Sequence, residues 1–74
     1  MSIKVTGVIQ RQDIGMGVWA LVAESGETYE LRNAPNELQQ PQLKVQVEGI
    51  IRDDIMTIAM IGPVLEIQSF ELLR

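Results

Sequence analysis

A small closed β-barrel is the fold class this sequence predicts, and two observations predict it. The dominant hydrophobic period is two rather than 3.6, so the chain reads as strands. The strands are short and separated by glycine-containing turns, the pattern of an all-β domain. The 74 residues include no cysteine and no histidine, so a small core has neither disulfides nor histidine-held zinc to support it. Residues 1–74 make a single domain, and closing its sheet removes exposed strand edges.

The first element is "IKVTGVIQ", residues 3–10. Ile3, Val5, Gly7 and Ile9 share one face, and Lys4, Thr6, Val8 and Gln10 the other. Gly7 in mid-strand predicts a bulge or a sharp bend, as at a barrel corner. A polar loop, "RQDIGMG", follows. The next run, "VWALVA", is apolar on both faces, and Val18, Trp19 and Val22 favour strand over helix. It leads into a hairpin marked by Gly26. A two-residue Ser25-Gly26 turn of type I′ would hold Ser25 at positive φ, whereas a three-residue loop Glu24-Ser25-Gly26 asks that only of glycine. The three-residue loop pairs Ala23 with Glu27, Leu21 with Tyr29 and Trp19 with Leu31. Those side chains then face the core, and Val18, Ala20 and Val22 face out. A slip of one residue would reverse this and turn Trp19 outward.

"NAPNELQQPQ" breaks the β pattern. Pro35 suits a first helical turn and Pro41 ends it, so a short helical turn is expected, with Leu38 plugging one end of the barrel. "LKVQVEGIIR" is the cleanest strand: Leu43, Val45, Val47, Gly49 and Ile51 point in, while Lys44, Gln46, Glu48 and Arg52 point out together with Ile50. Asp53-Asp54 is a turn. "MTIAMIG" reads as a strand segment interrupted by Gly62-Pro63, and "VLEIQSFELL" resumes it. The apolar phase of that last strand jumps from Ile67 to Phe70, which predicts a bulge near Ser69.

Three strands, a helical turn and two or three further strand segments predict a five- to six-stranded Greek-key barrel, OB-fold-like, with the helical turn between strands 3 and 4. The alternative is an SH3-like barrel, which normally has no helix at that point. The segments "TGVI", "GVWALVAESGETYEL" and "VQVEGII" together resemble small stand-alone bacterial OB-fold-like proteins, over nearly the whole chain. What the resemblance implies is a fold that commonly binds oligonucleotides, oligosaccharides or other proteins. Its shared features are turn glycines and core apolars, so it carries over no site residue.

Composition and spacing then narrow the chemistry. A net charge of −4 argues against nonspecific binding to phosphate backbones. Gly15-Met16-Gly17 is not a dinucleotide fingerprint: Ala20 stands where its third glycine belongs, and a strand follows rather than a helix. Asp53 and Asp54 are adjacent and lack calcium-loop spacing. Ser2, Ser25 and Ser69 have no histidine to activate them, and Lys4 and Lys44 are not expected beside a serine. The expectation is therefore a non-enzymatic binding module with no cofactor, no metal and no catalytic residue.

Surplus apolar surface points to a protein partner or a homodimer, with Val18, Ala20, Val22, Ile50, Met56 and Met60 as the candidate interface. The alternative is single-stranded nucleic-acid or oligosaccharide binding on a barrel face, with Lys4, Lys44 and Arg52 as a candidate basic patch if the first and fourth strands pair. The longest apolar stretch, "IMTIAMIGPVLEI", is too short to span a bilayer. No targeting signal is apparent at "MSIKVTG". The expected setting is cytoplasmic, without a membrane partner.

Overall fold

Gly26 sets the frame of the barrel. In the computed structural model, which describes residues 2–13, 17–32, 34–54 and 61–73, Gly26 adopts φ = +96°. Its N–H donates to the Ala23 carbonyl at 2.9 Å, and the Ala23 N–H donates to the Glu27 carbonyl at 2.7 Å. The three-residue loop is thus the one formed, since glycine alone reaches this backbone region without a steric penalty. Strands β2 (Val18–Ala23) and β3 (Thr28–Arg32) pair with Leu21 opposite Tyr29, as that loop requires.

Three more strands complete the sheet: β1 (Ser2–Gln12), β4 (Lys44–Arg52) and β5 (Val64–Leu72). They close in the order β1-β2-β3-β5-β4. All neighbours are antiparallel except β3 and β5, which run parallel. The fourth strand returns to lie beside the first, which is the Greek-key connection. A 3-10 turn, Asn36–Leu38, falls between β3 and β4, so the architecture is a five-stranded Greek-key barrel with its helical turn at the expected place. Five strands are described. Most of the further segment "MTIAMIG" lies outside the described residues, and so do Met56 and Met60.

β1 serves two neighbours. Its first half, Ser2–Val8, pairs with β4, and its second half, Gly7–Gln12, pairs with β2. The exchange happens at Gly7, where an added Cβ would come within 2.2 Å of the Val22 carbonyl oxygen. Only a residue without a side chain lets the backbones approach this closely.

Ile9, Leu21, Leu38, Val45, Val47 and Leu65 are fully buried and fill the interior. Leu38 reaches it from the 3-10 turn, whose Leu38 N–H bonds the Pro35 carbonyl at 2.9 Å. The expected bulge is present: Glu48 faces Ser69 while Gly49 faces Ile67, leaving Gln68 as the extra residue on β5. No helix among the described residues is long and apolar enough to cross a membrane.

Candidate functional site

The fold leaves one strand longer than its neighbour. Among the described residues, β3 pairs with β5 over Glu30–Arg32 against Val64–Glu66, whereas β4 accompanies β5 from Val64 to Leu72. Beyond Glu66, β5 has no strand partner on its β3 side among the described residues. Backbone direction follows from one bond: the Leu73 N–H donates to the Lys44 carbonyl at 2.9 Å. By the antiparallel alternation, Ser69 and Glu71 also turn their backbone groups toward β4. Phe70 and Leu72 therefore turn theirs outward, along an open edge.

The side chains at this edge are apolar. Phe70 and Leu72 are in phase with buried Val47 and Val45, so they continue the inner face past the point where the barrel closes. Phe70 packs partly against the core. Leu72 is 47% exposed, the one exposed large hydrophobic among the described residues. Glu71, between them, points to the outer face opposite Gln46.

The expected interface is less open than its apolar count implies. Ala20, expected to face solvent, is fully buried. Its single methyl sits between the longer side chains of its register partners Gln10 and Glu30, so it contributes no docking surface. Val18, Val22 and Ile50 are half-buried. Val22 stands opposite Val8, an outer-face neighbour outside the expected interface.

The three candidate basic residues do not form a patch. β1 and β4 do pair, but Lys4 lies opposite Glu48 and Lys44 opposite Val8. Lys44, Glu48 and Arg52 are each four positions apart on β4, roughly 13 Å per step at strand rise. Lys44 Nζ is 3.9 Å from a Glu24 oxygen. Arg52 donates to Glu66 at 2.8 Å and to Asp54 at 3.0 Å. The guanidinium contact holds the Asp54 carboxyl below its ordinary value and raises Arg52 in turn.

Sequence reasoning missed the arrangement around Trp19. The indole belongs to the inner face, as the hairpin register requires, yet it sits at the barrel end and is only half-buried against the core. β1 runs two residues further than expected, which places Arg11 opposite Trp19. The guanidinium carbon lies 5.5 Å from the ring centroid, a cation–π contact. Arg11 also approaches Asp13 at 3.6 Å.

Two shallow grooves lie among the described residues. One, about 400 Å³, runs between the start of β1 and the β2–β3 hairpin, with Ile3, Val5, Ala23 and Tyr29 as its apolar lining. The Tyr29 hydroxyl donates to Glu27 at 2.6 Å, and this bond, with burial and the carboxylate charge, raises its pKa above 10.0. The other, about 190 Å³, lies over β4 and β5 around Lys4, Glu48 and Ser69. There the Ser2 and Ser69 hydroxyls each reach Glu48 at a long 3.5 Å. Lys4 thus shares a row with Ser69, closer than the sequence predicts, but Glu48 stands between them. Among the described residues there is no cluster of three or more side chains suited to a metal ion.

Comparisons with protein-family models, with characterised proteins and with solved structures find no match for this chain.

Proposed function

We propose that this chain is a non-enzymatic protein-interaction module whose docking surface is the open edge of β5. The observation that carries the reading is that β5 outlasts β3, so Phe70 and Leu72 present backbone groups and apolar side chains together. An extended segment laid along such an edge gains main-chain hydrogen bonds, and its alternate side chains find the exposed apolar positions. Half-buried Val8, Val18, Val22 and Ile50 are secondary surface in this reading. A cytoplasmic setting suits a chain without cysteine.

The test is comparative capture from lysate with the wild-type chain and the Leu72→Lys variant. A charge on an edge strand opposes strand addition. The reading expects a partner held by the wild type and lost by the variant. Equal capture by both would remove β5 from the interface.

The Arg11–Trp19 pair favours a second reading, in which a half-exposed indole beside a guanidinium stacks on single-stranded nucleic acid. Titration with oligonucleotides at low salt, followed by Trp19 emission, decides it. A salt-sensitive emission change supports it, and no change at any salt ends it.

A further inference from the structure

The open edge of β5 is self-complementary, and we infer that its partner is a second copy of this chain, joined β5 to β5 about a two-fold axis at Glu71. This rests on the reading of β5 as the docking edge and names its occupant.

The register follows from the residues already placed. Phe70 and Leu72 hold the outward-turned N–H and C=O groups. An antiparallel pairing centred on Glu71 sets Phe70 against Leu72 of the second copy, and Leu72 against its Phe70. All four residues then exchange backbone hydrogen bonds, and two aromatic–aliphatic pairs form on the face that is otherwise open. The three-stranded sheet β1-β4-β5 becomes six strands long across the two copies. A two-fold contact of this kind closes on itself and leaves no edge for a third copy.

The competing symmetric register, centred on Phe70, is poorer. It sets Leu72 against Gln68, the extra residue of the bulge, where the ladder is locally disrupted. The Glu71-centred register has one cost: the two Glu71 carboxylates face each other in a close, non-hydrogen-bonded pair. Glu71 is exposed, so this repulsion is moderate and screened by salt. Two further backbone bonds and two apolar pairs outweigh it. The account therefore yields an unusual signature, a dimer that tightens when one of its own side chains loses its charge.

Sedimentation of the purified chain over a range of concentrations tests this. The expected result is a mass rising from 8.3 kDa toward twice that value, with tighter association at higher salt. Glu71→Gln is expected to tighten the dimer about two- to five-fold. Glu37→Gln, which removes an exposed charge on the 3-10 turn, is expected to change it less. Leu72→Lys should weaken association at least about tenfold, losing both Phe70–Leu72 pairs. Should that variant fail to fold, Leu72→Thr keeps a β-compatible side chain and should still weaken the dimer.

A chain that stays monomeric into the hundreds of micromolar overturns the inference. So does a dimer indifferent to both Leu72 variants, or a Glu71→Gln effect no larger than that of Glu37→Gln. A monomeric chain that still captures a different protein through Leu72 overturns the second copy as occupant and leaves β5 as a docking edge.

Discussion

Gly26 and Gly7 perform different tasks, and substitution separates them. Nothing lies within 4 Å of a Cβ added at Gly26, so Gly26→Ala meets only the strain of positive φ. It should cost roughly 1–2 kcal/mol in denaturant unfolding. At Gly7 the same change meets the Val22 carbonyl at 2.2 Å. It should reach or exceed the upper end of the roughly 1–3 kcal/mol typical of overpacking. Equal costs would mean that the β1–β2 approach is looser than described. Arg11 shields one face of Trp19, so Arg11→Ala should increase acrylamide quenching of the indole, and unchanged quenching would contradict the stack. Tyr29 predicts an alkaline limit. Its hydroxyl bond to Glu27 raises its folded pKa above 10.0, so the folded state holds the proton longer than the unfolded chain. That contribution is full below about pH 10 and is lost as pH rises from there through the folded pKa. Tyr29→Phe should flatten this alkaline decline in stability.

At the scale of elements, the 3-10 turn acts as a cap through one side chain. Leu38 is fully buried, and Leu38→Ala should cost about 2–5 kcal/mol by calorimetry or denaturant titration. A cost under about 1 kcal/mol would mean the barrel end is closed by something else. This turn was legible in the sequence because two prolines bracket a single leucine. The hairpin register was legible because one glycine in a three-residue loop fixes every pair behind it. The bulge on β5 was legible from the broken apolar phase between Ile67 and Phe70. The docking edge was not. Phe70 and Leu72 follow the core phase, and nothing local reveals that, among the described residues, β3 accompanies β5 only as far as Glu66 while β5 continues to Leu72. Edge exposure is a property of two strands far apart in sequence. The same holds for Ala20, whose burial depends on the lengths of Gln10 and Glu30 across the ladders. It also holds for Arg11, which meets Trp19 only because β1 extends to Gln12.

At the scale of the whole molecule, the barrel closes in the order β1-β2-β3-β5-β4, and among the described residues its β3–β5 seam joins three residue pairs. Ile9, Leu21, Leu38, Val45, Val47 and Leu65 are fully buried, whereas Leu72, past that seam, is 47% exposed. A chain of this size buries a modest share of its surface on folding, so extending the β1-β4-β5 sheet into a second copy adds both hydrogen bonds and apolar burial where the monomer lacks them. The net charge of −4 per chain opposes association at low ionic strength and yields to screening. Residue-resolved hydrogen exchange of β5 at low and high protein concentration tests this most directly. In the dilute monomer, the Ser69, Glu71 and Leu73 amides, which face β4, should be protected, and those of Phe70 and Leu72 should exchange freely. At high concentration protection should appear at Phe70 and Leu72. Protection of these two amides in the dilute monomer, or free exchange in an associated state, would contradict the account.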